Sequence, residues 1–179
     1  MLEASLIPTT RGRHLGVDYS TELLSLAAPL GDPRASFVSG DLGTANWSRE
    51  VDGRFDAVIC FSVLHHIPGP RRRLRLLRET YSLMRPGARC ALSVWRFRHV
   101  PRLLKKTVAW EAVGLSSDEV DPGDYLLDWR RGGRGLRYVH QFQEEELTQL
   151  CRRSGFTVTH TYCSDGETGD MGLYIICEV

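Results

Sequence analysis

Short apolar runs alternate along the chain with segments of helical spacing. His14 to Val17 is a brief apolar run closed by Asp18, and Ser20 can cap a helix marked by Leu23, Leu24, Leu26 and Ala27, ending before Pro29 and Gly31. "ASFVSGD" reads as a second strand ending at Gly40 and Asp41. In "FDAVICFSVLHHI" the stretch Ala57 to Phe61 is apolar without alternation, which predicts a strand covered on both faces of a parallel sheet. Leu74, Leu77, Tyr81 and Met84 repeat at helical spacing from Arg71 to Met84, Arg85, Pro86 and Gly87 stop that helix, and "RCALSVW" follows as a fourth strand.

This alternation predicts an α/β sheet, doubly wound, with parallel strands and right-handed crossovers. Residues 97–141 break the rhythm with Pro101, Pro122, several glycines and the aromatic residues Trp110, Tyr125, Trp129 and Tyr138, and read as an insertion covering the substrate side. After it "EEELTQLCRRSG" is an amphipathic helix stopped by Gly155, and "FTVTHTYC" and "MGLYIICEV" form a closing antiparallel hairpin. No internal repeat, low-complexity tract or second domain is evident, so residues 1–179 read as a single domain.

Composition adds little against this picture. With 179 residues, 42% hydrophobic and 25% charged, the chain suits one ordinary globular core. No apolar run approaches the roughly 18 residues that cross a bilayer, and "MLEASLIPTTRGR" lacks the order of a secretory signal, so a cytoplasmic location is expected. The five cysteines are odd in number and scattered, without a CxxC pair, and read as reduced structural thiols. No spacing suggests a metal site, and neither a Ser-His-Asp order nor a Gly-x-Ser-x-Gly elbow suggests hydrolysis.

Ligands of open α/β sheets bind outside the carboxyl ends of the strands. Asp18 and Asp41 stand there. A carboxylate at Asp18 can accept both hydroxyl hydrogens of a ribose, and one at Asp41 can accept from an exocyclic amine such as that of adenine. Helix capping or turn formation accounts equally well for each aspartate taken singly.

The two acids, "FDAVICFSVLHHI" and "LMRPGARCALSVW" occur in the order seen in class I S-adenosylmethionine-dependent methyltransferases, which the chain resembles from about Arg13 to Val179. The resemblance implies a Rossmann-like sheet with an antiparallel C-terminal hairpin and S-adenosylmethionine as cofactor. It assigns the ribose to Asp18, with Tyr19 beside it, and the adenine to Asp41, with Leu42 beside it. Phe61, Ser62, His65 and His66 fall on the methionine and substrate side, and "RPG" is a structural turn. Members of this class begin with a strand and a DxGxGxG loop about twenty residues before the ribose acid. Only seventeen residues precede Asp18 here, none of them that loop. "MLEASL" instead resembles the tail of the helix after the loop, with a degenerate first strand through "ASLI" as the other reading. The expectation is an N-terminally truncated domain with weak or absent cofactor binding.

The net charge of +1 hides an uneven distribution. Arg71, Arg75 and Arg78 can share a helix face, Arg96, Arg98, Arg102, Lys105 and Lys106 follow the fourth strand, and Arg130, Arg131, Arg134 and Arg137 lie in the insertion. Such clusters neutralise RNA phosphates, with Trp129 and Tyr138 able to stack a base, although charge runs are also ordinary solvated faces. "DYLLDW", "LRYVHQFQEEELTQLCRRSGF" and "VLHHI" resemble the tRNA methyltransferases that esterify carboxymethyluridine at the wobble position. That resemblance implies tRNA as partner and places Arg137, Tyr138 and His140, with His65 or His66, near the acceptor. An Arg would hold the substrate carboxylate, which needs little base catalysis, whereas a neutral hydroxyl acceptor would need a histidine to take its proton. Structural packing is the other reading for the histidines and Tyr138. The alternatives in function are a small-molecule methyltransferase of quinone, carboxylate or phenol type, a non-catalytic remnant without cofactor, and, more remotely, a Rossmann dehydrogenase.

Overall fold

In a computed structural model the described residues are 12–28, 32–130, 133 and 135–179. The expected helix tail "MLEASL", the alternative strand "ASLI", the stops Pro29 and Gly31, and Arg131 and Arg134 lie outside them. The chain forms two compact units, residues 1–52 and 53–179.

In the first unit, β1 (His14–Asp18) pairs in parallel with β2 (Ala35–Ser39), from His14 opposite Ala35 to Asp18 opposite Ser39. The crossover carries α1 (Thr21–Ala27), and the Ser20 hydroxyl accepts from the Leu23 amide at 3.2 Å, satisfying one of the free donors of the first turn. A 3₁₀ turn at Trp47–Glu50 buries Trp47.

The second unit is built on the strand order β3-β4-β9-β8, with β3 (Phe55–Phe61), β4 (Met84–Trp95), β8 (Thr157–Ser164) and β9 (Gly172–Glu178). β3 and β4 are parallel, whereas β4–β9 and β9–β8 are antiparallel, so the sheet is mixed and closes in the expected hairpin. α2 (Pro70–Ser82) turns Leu76, Leu77 and Thr80 inward, and α4 (Glu144–Arg153) buries Leu147, Leu150 and Cys151 against β8, β9 and α2. Gly155 ends α4 with φ +106°, backbone geometry that side chains resist.

Two expectations are corrected. The "RPG" stretch does not lie before its strand: β4 begins at Met84, opposite Phe55, and the register jumps so that Ala57 meets Arg89, which makes Arg85–Ala88 an irregularity within the strand. Gly87, at φ +78°, donates its amide to the Val179 carbonyl there. β3 is not covered on both faces: Ile59 is 65% exposed and Phe61 47%, while Val58 and Cys60 on the other face are half-buried. The scattered cysteines also converge. Cys90 and Cys177 stand opposite each other in register, and Cys60 and Cys151 are near enough to bear on their ionisation.

Residues 97–141 hold α3 (Pro101–Leu104) and a small antiparallel sheet of β5 (Thr107–Val108), β6 (Asp124–Trp129) and β7 (Gly135–His140). Phe97, Leu103, Leu127 and Val139 form its core, with Trp95, Val100 and Tyr125 packed around them.

Candidate functional site

In the first unit the two aspartates act at the strand ends in the same way. Asp18 accepts from the Ser20 amide through Oδ1 at 2.8 Å, and Asp41 accepts from the Gly43 amide through Oδ1 at 2.8 Å. Each carboxylate thus holds its own loop with one oxygen. For the other oxygen, neither aspartate has a hydrogen-bond donor among the described residues. Those acceptor oxygens fit a cofactor offering ribose hydroxyls and an adenine amine as donors. Tyr19 is 76% exposed beside Asp18, and Leu42 is half-buried beside Asp41.

In the second unit the carboxyl ends of β3 and β4 meet. Phe61 packs edge-on against Tyr174, at 5.5 Å between centroids. Ser62 turns the chain sharply with φ +56°, a conformation few non-glycine residues adopt. Three bonds fix it there: its amide donates to the Ser93 carbonyl at 3.0 Å and hydroxyl at 3.1 Å, and its own hydroxyl accepts from Trp95 Nε1 at 3.0 Å.

The 3₁₀ turn Leu64–His66 then places the two histidines with their rings 4.1 Å apart. They carry their protons on opposite nitrogens. His65 is fully buried and its Nδ1 accepts from the Trp95 amide at 3.4 Å, so its proton is on Nε2, which has no partner among the described residues. His66 must donate from Nδ1 to the Tyr138 carbonyl, at 2.8 Å, because a carbonyl only accepts; its Nε2 is left without a proton. Burial pushes both imidazoles below the ordinary value, His65 well below, with the nearby Arg137 charge acting in the same direction. Both rings are therefore neutral near pH 7.

β7 divides its side chains by strand alternation. On one face the Arg137 guanidinium lies 3.7 Å from the Trp129 ring centre and 5.9 Å from that of Trp95, with Lys106 5.3 Å from Trp129. On the other, Tyr138 and His140 join a buried network. Tyr138 Oη donates to Asp124 Oδ1 at 2.6 Å and accepts from Arg73 Nη1 at 3.0 Å; His140 donates from Nδ1 to Asp124 at 2.6 Å and from Nε2 to Glu146 at 2.9 Å. Burial alone would raise the Asp124 carboxyl, but the bonds from His140 and Tyr138 and the Arg73 charge hold it below its ordinary value. Burial would likewise lower His140, yet the two carboxylates raise it, while burial and Asp124 push the Tyr138 phenol up.

Among the expected residues, the structure groups His65, His66 and Arg137 with Ser62 through Trp95, and commits Tyr138 and His140 to the network behind them. Arg73, Asp124 and Glu146 went unseen in the sequence: Arg73 is hidden in an arginine run, Glu146 in a run of three glutamates, and Asp124 in a Pro/Gly-rich stretch that reads as loop. The two-residue spacing of Tyr138 and His140 is the signal that could have placed both on one face of a strand. On α2, Arg71, Arg75 and Arg78 do share a face, lining a groove of about 380 Å³ with Leu74, Glu79 and Ser82. Among the described residues no group of histidine, cysteine or acidic side chains is placed to hold a metal, and no helix is long and apolar enough to cross a membrane.

A parallel β-α-β unit, a mixed sheet with a terminal hairpin and polar side chains gathered at strand carboxyl ends define an α/β enzyme of the Rossmann-like kind. The methyltransferase-domain family model matches residues 12–161. A protein of Encephalitozoon cuniculi named as a methyltransferase is 30% identical over 164 residues, covering 92% of this chain and 69% of that protein. Among solved structures, an S-adenosylmethionine-dependent methyltransferase from Methanosarcina mazei superposes with a TM-score of 0.66 at 20% identity, over 92% of this chain and 80% of that one. The 1,6-didemethyltoxoflavin N1-methyltransferase of Burkholderia thailandensis, solved with 1,6-didemethyltoxoflavin and S-adenosylhomocysteine, gives 0.58 at 23% identity, over 93% and 60%. This chain belongs to the methyltransferase-domain family.

Proposed function

We propose that the chain transfers a methyl group to the carboxylate of a carboxymethylated wobble uridine in tRNA, forming the ester. The observation that carries this reading is the Arg137 guanidinium 3.7 Å from the Trp129 ring centre and 5.9 Å from that of Trp95, whose ring also meets His66: a cation among aromatic rings next to the carboxyl ends of β3 and β4. A guanidinium can pair with a carboxylate, and indole rings match a nucleobase. The Arg71, Arg75 and Arg78 groove supports contact with RNA phosphates. Free thiols at all five cysteines agree with a reducing, cytoplasmic setting.

When bound, S-adenosylmethionine supplies an electrophilic methyl group. Within the first unit, Asp18 and Tyr19 would hold its ribose side and Asp41 and Leu42 its adenine. The chain's contribution to rate is then positioning, since an ionised carboxylate near pH 7 is already nucleophilic.

One observation favours a second reading, a small acceptor with a neutral hydroxyl or ring N–H: His66 Nε2 carries no proton and can take one. Labelled methyl transfer to tRNA bearing carboxymethyluridine separates the two. The tRNA reading expects label that mild alkali releases as methanol, at a rate nearly flat from pH 6 to 8. Absence of label on that tRNA, with transfer to a phenol whose rate falls as pH drops through the depressed His66 value, would overturn it in favour of the second.

A further inference from the structure

We infer that Asp124 is a positioning residue for His66, acting through Tyr138 and Arg73 to fix which ring nitrogen carries the proton. Two attachments of the histidine turn lead to it. His66 Nδ1 donates to the Tyr138 carbonyl at 2.8 Å, and Arg73 Nη1 donates to the carbonyl of Ile67, the residue closing the turn, at 3.4 Å. The same Arg73 nitrogen donates to Tyr138 Oη at 3.0 Å, and Tyr138 Oη donates to Asp124 Oδ1 at 2.6 Å.

Asp124 is the acceptor on which this arrangement converges. It opens β6, pairs in register with His140 at the end of β7, and also accepts from His140 Nδ1 at 2.6 Å. The neighbouring Gly123 carbonyl accepts from the Gln141 amide at 2.7 Å, so the strand ends are joined on both sides of the acid. Arg73 is 2% exposed and the Asp124 side chain 7%, so solvent offers little substitute for a lost partner. With Asp124 in place, the Tyr138 carbonyl keeps a fixed distance from His66, Nδ1 stays protonated, and Nε2 stays open as a proton acceptor. The direct acceptor from Nδ1 sets the tautomer of a histidine, and here that acceptor is the Tyr138 carbonyl.

This rests on the proposed reading only in giving His66 a task; the tautomer itself is read without any methyl transfer. Proton–nitrogen correlation NMR of the histidine rings in the full chain tests it, with folding checked by circular dichroism. The wild type is expected to show His66 with one protonated and one bare nitrogen. Asp124→Ala and Tyr138→Phe are expected to average the two resonances, and Asp124→Asn, which keeps an acceptor oxygen, to restore them. Tyr138→Phe leaves the Asp124–His140 pair intact and decides the matter should Asp124→Ala not fold. An unaltered His66 tautomer in folded Tyr138→Phe would overturn the inference, whatever acceptor the enzyme uses.

Discussion

His140 is held by carboxylates at both ring nitrogens, with 3% of its side chain exposed. Its pKa in the folded chain lies above the ordinary 6.5, so its contribution to stability is fully present below pH 6.5 and is lost as pH rises through the raised value. His140→Gln is therefore expected to cost about 3 kcal/mol in denaturant unfolding below pH 6.5, with the gap from wild type narrowing at alkaline pH. A gap independent of pH would contradict a charged imidazole. His65 has the opposite sign: its folded pKa is depressed, so its stability is present above 6.5 and is lost as pH falls. At this scale the aspartates were legible because a strand end is a position that sequence pattern can locate. Arg73 and Asp124 were not, because their meaning depends on a register between β6 and β7 that composition hides.

Two helix ends, the Ser20 cap and the Gly155 stop, were legible because their signals are local. Gly155 shows why. Besides its φ of +106°, an added Cβ would stand 3.1 Å from the Tyr81 ring, itself packed edge-on with Phe156. Gly155→Ala should lower stability by about 1–2 kcal/mol from backbone conformation alone, seen as a lower melting temperature. An unchanged melting temperature would mean that the α4 terminus relaxes freely. Less legible were β5, β6 and β7, in a segment whose proline, glycine and aromatic content read only as an insertion; they pair because Leu127 and Val139 find a core with Phe97 and Leu103. Nor could local pattern show that β3 leaves one face open. Ile59→Lys on that face should change stability by less than about 0.5 kcal/mol while reducing concentration-dependent light scattering. Scattering equal to wild type would show that this face does not drive self-association.

At the scale of the whole molecule, the alternation of strand and helix identified the fold class, while the acceptor depends on side chains brought together from distant segments. His66 and Arg137 are far apart in sequence, and their common surroundings follow from the β6–β7 sheet. The expected absence of a first strand and glycine-rich loop falls on residues outside the described ones, so cofactor binding by the chain itself becomes the decisive quantity. The proposed site takes one oxygen each from Asp18 and Asp41, and a hydrogen bond to a charged group is worth about 1.5–3 kcal/mol, or roughly tenfold to a hundredfold in affinity. Calorimetric titration of S-adenosylhomocysteine into the wild type, Asp18→Ala and Asp41→Ala is the most direct test. Weak binding by the wild type, lowered at least tenfold further in each variant, is the predicted result; equal binding by all three would contradict the assignment of this chain's cofactor site.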